Sequence, residues 1–383
     1  MVYINIFRKF MVMVALLMHL KEFAESYIDI STINVKSEDR ISKDVTPLSY
    51  EIFIETNISI KDFNGMVLMY IKWTTDSKKI YLHTHSDLYI EEKQIKLRLS
   101  KNINKVSSKN VPVLRGIRLP KKTIYVVHLK EIVRQGSEGV IEIPFKGKIL
   151  NTAQGFFEGY YTNSSTLAQE SYLATNLKPN NARRLFPCFD EPEIKVPFKV
   201  SIARSQEYIA VFNTILNKSI QHPVLKGYRL DTFDTTPPIP AFSLCFVISK
   251  LQKSEEIIFL DGQTFYSIHI WNNNISHFFL KNVQTRLTIT LKSIHVFFED
   301  SLPSSKIDVF IIPEFPTIPY VSSWGILCGR ESEFSNNGFF EISKELIYHW
   351  IGIWITPNWW SDEPLNKALI SFLATEIVIH MEV

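Results

Sequence analysis

Two kinds of hydrophobic pattern divide this chain. Between residues 49 and 250, apolar positions fall in short runs rich in β-branched and aromatic side chains, many alternating with polar ones. That is the period of half-buried strands. The clearest runs are residues 50–55, 66–71, 123–129, 140–143 and 242–248. Turn-forming clusters such as Thr74-Thr75-Asp76-Ser77 and Arg134-Gln135-Gly136-Ser137 separate them. This half predicts a large antiparallel β domain. After Ser249 the pattern changes, and strands at 265–271 and 307–312 alternate with helices. Phe278, Phe279, Val283, Leu287 and Leu291 recur at helical spacing. A second helix is predicted over 343–356, stopped by Pro357, and a third from near Pro364 to the end. The fold class is α+β with more than one domain. The chain shows no internal repeat and no low-complexity segment.

Composition narrows the function classes. A hydrophobic share of 45% with 21% charged residues is that of a globular protein. A net charge of +3 over 383 residues leaves no basic footprint, which argues against a nucleic-acid partner. At the start, Arg8 and Lys9 precede an apolar run over 10–20 that is short for a bilayer span, with small residues at Ala24 and Ser26. Residues 1–26 therefore read as a cleaved signal peptide, the rival being an uncleaved anchor. No later segment approaches membrane-helix length. Sequons at Asn57, Asn163, Asn217 and Asn274 agree with a secreted glycoprotein. The three cysteines, Cys188, Cys245 and Cys328, are too few and too scattered for a disulfide framework and read as buried free thiols.

One run is highly specific: Asn181-Ala182-Arg183-Arg184-Leu185-Phe186-Pro187-Cys188-Phe189-Asp190-Glu191-Pro192. It resembles the A-R-x-x-F-P-C-F-D-E-P signature of zinc aminopeptidases of the aminopeptidase N type. Pro47-Leu48-Ser49-Tyr50, Gly155-Phe156-Phe157 with Tyr160-Tyr161, Lys306-Ile307-Asp308, Trp324-Gly325-Ile326 and Arg330-Glu331 are similar to further stretches of that family. The resemblance runs from about residue 44 to 375. It implies a saddle-like β domain over 44–250, then the start of a thermolysin-like catalytic domain over 251–383, cut short of the family's later domains. The last helix carries Leu369, Phe372, Leu373, Ile377 and Ile379 with nothing after Val383 to cover them, which reads as a truncated protein.

The departures fall on the chemistry. The family's zinc helix is H-E-x-x-H, followed eighteen residues later by Glu; here the ligand positions hold Lys344, Tyr348 and Lys367, and eighteen residues separate the last two. A protonated ammonium has no lone pair for zinc, and neutral Tyr is a poor ligand. Only Glu345, at the general-base position, is retained. The amine-binding Glu of the family aligns with Ser322 and its substrate-contacting Gln with Asn176. No cofactor is expected, since the zinc ligands are replaced.

Three local readings follow. Lys344 and Lys367 place positive charge where zinc would sit, available to pair with Glu345; the alternative is that they reach solvent. Glu345 and His349, four apart, offer an improvised metal site that Asp362 or Glu363 would complete. Trp350, Trp359 and Trp360, and the aromatic cluster Phe156, Phe157, Tyr160 and Tyr161, read as packing, and Asp190 with Glu191 as a structural corner. Taken together, the chain reads as a catalytically degenerate peptidase relative that binds a peptide or protein through the old cleft. The alternatives are a zinc aminopeptidase with residual hydrolysis and a fragment without independent function.

Overall fold

The computed structural model describes residues 39–381, apart from 101–107, 121, 262–263, 299–303, 305, 317–319 and 336–337. The leader over 1–26 lies outside the described residues. The first half is strands, as the alternation predicts. A nine-stranded sheet is built on the hairpin Val45–Asn57 and Asp62–Trp73. Tyr50, Ile52, Ile54 and Thr56 point inward on the first strand, Val67, Met69, Ile71 and Trp73 on the second, and all are buried. Pairing is antiparallel except where Val45–Asn57 runs parallel to Phe198–Ser205, with Ile52 opposite Val200. Three smaller antiparallel sheets complete this part, among the described residues, one of them the short pair Lys195–Val196 and Ile239–Pro240. Another has four strands, Gly155–Thr162, Gln169–Asn176, Phe246–Ser249 and Ile209–Phe212; the third has three.

The predicted strand over 242–248 is in fact a 3₁₀ turn, Ala241–Ser243, followed by the strand Phe246–Ser249. The buried amide of Asn213 explains the break. Its Oδ1 accepts from the Cys245 N–H at 2.7 Å, and its Nδ2 donates to the Ser243 and Trp324 carbonyls. A side chain has taken ladder positions that a strand partner would otherwise fill.

The second half holds a five-stranded sheet in the order Gln252–Asp261, Thr264–Asn272, Lys306–Ile311, Ile326–Gly329, Tyr320–Ser323. Thr264–Asn272 and Lys306–Ile311 are parallel, and helix α1, His277–Phe298, makes the crossover between them. Its buried stripe is Leu280, Val283, Leu287, Leu291 and Ile294; Phe278, placed on the stripe by periodicity, is 83% exposed instead. After the short helix α2, Glu331–Ser335, come α3, Gly338–Ile347, and α4, Glu363–Met381. Helix α3 thus ends nine residues short of the predicted 356. Past Ile347 the backbone tightens, with His349 N–H donating to the Leu346 carbonyl. It then widens, with Ile353 N–H donating to the Tyr348 carbonyl. Gly352 sits at φ 145°, where a Cβ would come within 2.7 Å of the Tyr348 ring, so regular helix cannot continue.

Polar groups join the two halves. Lys306 Nζ, on the five-stranded sheet, donates to the Phe212 and Thr214 carbonyls at 2.6 and 3.0 Å and pairs with Asp308 at 2.7 Å. In the signature run, Arg183 Nε binds Asp190 Oδ2 at 2.8 Å, and Trp360 Nε1 donates to the Asp190 carbonyl at 3.4 Å. Glu191 accepts from the Ile41 N–H at 2.9 Å. These carboxylates are spent on structure, as a corner would require.

Candidate functional site

Four elements converge where the family motifs fall. The loop after the strand Gln169–Asn176 brings Lys178. The edge strand Tyr320–Ser323 brings Ser322, the last turn of α3 brings Lys344 and Glu345 with Tyr348 just past its end, and the start of α4 brings Glu363 and Lys367. At their meeting point is the Lys178 ammonium. Its Nζ donates to Ser322 Oγ at 3.2 Å, stands 3.9 Å from Glu345 Oε2 and lies 4.0 Å from the centre of the Tyr348 ring. Burial pushes its pKa down, and the nearby carboxylates of Glu345 and Glu363 oppose that shift.

No single contact explains why a charged group stays there. At 3.9 Å and an effective dielectric near 20, the Glu345 attraction is of order 4 kcal/mol. That is comparable with the several kcal/mol it costs to desolvate each ion. The ring contact adds about 1–2 kcal/mol when desolvated. The Ser322 hydrogen bond to a charged donor adds about 1.5–3 kcal/mol. The cluster as a whole therefore holds Lys178, and each member matters.

The expected charge pairing takes a different form. Lys344 turns away to Glu341, 2.8 Å off and one turn back, over the Phe340 ring. Lys367 has a 59% exposed side chain and reaches Glu363 only at 4.0 Å. Neither pairs with Glu345; Lys178 does. Sequence reading misses this residue, because a lysine before a proline in a loop carries no sign of where it points. Asn176 is engaged elsewhere, its amide donating to the Ala153 carbonyl at 2.8 Å.

The donor set does not fit zinc. Lys344 and Lys367 offer ammoniums, and Tyr348 offers a phenol whose pKa is raised well above the ordinary value by burial, then by Glu363 and Glu345. The Tyr348 hydroxyl is buried beside the Glu363 carboxylate, which adds to the upward shift. Glu363 itself is buried at the start of α4, where the helix dipole favours its charge, yet desolvation raises its pKa against the pull of Lys367 and Lys178. The improvised Glu345–His349 site also fails on geometry. His349 is fully buried; its Nδ1–H donates to the Glu345 carbonyl at 3.1 Å, and its Nε2 accepts from the Gly325 N–H at 3.0 Å. Both ring nitrogens are committed to backbone, and desolvation pushes the pKa down to about 4.

The aromatic groups behave as packing. Trp350 stacks on Phe298 at 5.1 Å, and Trp360 meets Phe242 edge-on at 4.9 Å. Phe156, Phe157 and Tyr161 are buried, whereas Tyr160 is 37% exposed. Among the sequons, Asn217 and Asn274 are exposed, and Asn57 and Asn163 are half-buried.

A family model described as the Peptidase M1 N-terminal domain matches residues 46–242, more than half of the chain. The chain belongs to the M1 peptidase family. It is similar to glutamyl aminopeptidase of Rattus norvegicus, 24% identical over 366 residues that cover 90% of this chain and 36% of that protein. Endoplasmic reticulum aminopeptidase 1 of Homo sapiens is 25% identical over 347 residues, covering 87% and 35%. Aminopeptidase N of Canis lupus familiaris is 24% identical over 361 residues, covering 87% and 35%. The chain spans little more than a third of the length of these relatives. The β-rich half is the part the M1 model matches, and the cluster around Lys178 lies where that half meets the α3 and α4 helices. Among the described residues, no helix is long and apolar enough to cross a membrane.

Two measurements test this geometry. Lys178→Met is expected to lower stability by about 1–3 kcal/mol in urea unfolding, because it strands a largely buried carboxylate. Adding Glu345→Gln should recover part of that loss, whereas Lys344→Ala and Lys367→Ala should each stay within about 0.5 kcal/mol. A larger loss from Lys344→Ala than from Lys178→Met would contradict the assignment. The second measurement concerns His349. Its folded pKa lies below the unfolded value, so between about pH 6.5 and 4 the unfolded state binds the extra proton and stability falls as pH falls. His349→Gln should flatten the unfolding free energy across that window relative to the parent protein. The slope removed is at most about 1.4 kcal/mol per pH unit, the full contribution of one proton. An unchanged slope would mean that His349 is not held neutral by burial.

Proposed function

We propose that this M1 family member is a binding protein derived from an aminopeptidase, without zinc-dependent hydrolysis. The observation that carries the reading is the Lys178 ammonium, lodged between Ser322 and Glu345 above the Tyr348 ring. A metallopeptidase needs a metal to activate water and a carboxylate free to accept its proton. At this site a side-chain cation faces Glu345, and the three ligand positions carry Lys344, Tyr348 and Lys367. The amine-binding position is Ser322, which already accepts from Lys178. An incoming peptide would therefore meet a site whose polar groups are paired with one another. Binding, in this reading, takes place along the surface of the cleft, with a peptide or protein as partner.

The same proposal divides the chain into a β domain over 44–250 and a partial thermolysin-like segment over 251–383. It assigns the protein to the secretory route, with residues 1–26 as its signal and glycans on its sequons. The net charge of +3 gives nucleic acid no evident foothold. Residual aminopeptidase activity, the competing reading, has only Glu345 in its favour, and that carboxylate is in an ion pair.

A panel of aminoacyl-amidocoumarin reporters covering acidic, basic and apolar first residues, assayed with excess zinc, decides between the two. The expected outcome is no release above buffer, unchanged in Glu345→Ala. Zinc-dependent release abolished by Glu345→Ala would overturn the proposal.

A further inference from the structure

The five-stranded sheet carries a second group of polar side chains, separate from the cluster around Lys178. Side chains alternate along Thr264–Asn272, so Ile268 and Ile270 are buried on one face. Ser267, His269 and Trp271 share the other face. The neighbouring strand Lys306–Ile311 runs parallel, with Lys306 opposite Ser267 and Asp308 opposite His269. This register joins three side chains in one hydrogen-bonded line. His269 Nδ1 is 3.2 Å from Asp308 Oδ1, and His269 Nε2 is 3.0 Å from Ser267 Oγ. Trp271 Nε1 donates to the same Asp308 oxygen at 2.7 Å, and Lys306 Nζ stands 2.7 Å from the other. An ionised carboxylate only accepts, so it selects the tautomer protonated on Nδ1 and leaves Nε2 to accept from the serine hydroxyl. Burial pushes the Asp308 carboxyl up, but the His269 hydrogen bond and the Lys306 charge outweigh it and hold it below the usual range. Asp308 is enclosed, whereas Ser267 and His269 are partly exposed.

We propose that Ser267 is a nucleophile that takes the acyl group of a small carboxylic ester without a metal, with His269 as its general base and Asp308 positioning the imidazole. Such a constellation is defined by geometry and roles, not by order along the chain. The bond from Ser267 Oγ to the carbonyl carbon forms as His269 Nε2 takes the hydroxyl proton. The ester C–O bond then breaks, and the alcohol leaves with that proton. Water, giving its proton to His269, attacks the acyl-serine and releases the carboxylic acid, and the proton returns to Ser267 Oγ. One ester and one water become one acid and one alcohol, so atoms and protons balance.

The same strand sets the pace of the reaction. Thr264–Asn272 lies between two partner strands, so its main-chain N–H groups serve the ladders and not a bound oxyanion. Losing one oxyanion donor costs about 10²–10³-fold in rate. Turnover is therefore slow, and covalent modification of Ser267 is the clearer readout.

The test is to treat the full chain, in EDTA, with a fluorophosphonate probe and to follow its intact mass and its peptides. Attack by Ser267 Oγ on phosphorus expels fluoride, so one phosphonyl group on the peptide carrying Ser267 is expected. Ser267→Ala should stay unlabelled, and His269→Gln should label about 100-fold more slowly, the usual contribution of a positioned base. The parent protein unfolded in urea should label no more than Ser267→Ala, because the hydrogen-bonded line exists only in the folded chain. No adduct on Ser267 in the native parent protein would overturn the proposal. So would labelling of Ser267 as fast in urea, or in His269→Gln, as in the native parent.

Discussion

A single ammonium sets the character of this molecule's central site. Lys178 reaches out of a loop of the β-rich half and enters a pocket of polar groups supplied by three other elements. Ser322 accepts from it, Glu345 pairs with it and Tyr348 lies beneath it. Placing a cation in so little water is unfavourable unless every neighbour contributes. Each of those neighbours is in turn constrained. Glu345 is one turn from a histidine whose ring is bound to backbone, and Tyr348 is wedged against Gly352, which has no room for a side chain. The site is thus a closed network of mutually dependent groups.

The same logic extends to the frame around the site. The corner built on Arg183 and Asp190 ties the loop that carries Lys178 to the 3₁₀ turn before α4 through Trp360. Asn213 and Lys306 tie the β-rich half to the five-stranded sheet. These buried, hydrogen-bonded links hold the four elements in the arrangement whatever their side chains do. The family match accordingly falls on the β-rich half that carries this corner.

Much of this is legible in the sequence, and the failures have physical causes. Alternation places the long strands, because one face of each is buried and the side-chain period of two is strict. Helical spacing finds α1 but assigns Phe278 to the wrong side, since periodicity does not say where the apolar stripe begins. Helix α3 is shorter than its pattern predicts because the glycine conformation that ends it depends on Tyr348 pressing against it, a contact made only in the folded chain. Lys344, Tyr348 and Lys367, which the resemblance alone aligns with zinc ligands, are plain in the sequence. Proximity along the chain assigns their charges to Glu345, whereas the cation beside Glu345 comes from Lys178, far away in sequence. Loop lysines give no local signal of their target, and no pattern within one chain supplies it.

The account stands on the claim that a side chain, and not a metal, supplies the positive charge at this site. The direct measurement is the metal content of the purified full chain by native mass spectrometry, after incubation with excess zinc and removal of the unbound ion. The account predicts no stoichiometric zinc, in the parent protein and in Glu345→Ala alike. One zinc per chain, lost in Glu345→Ala, would contradict it and place a metal where Lys178 is assigned.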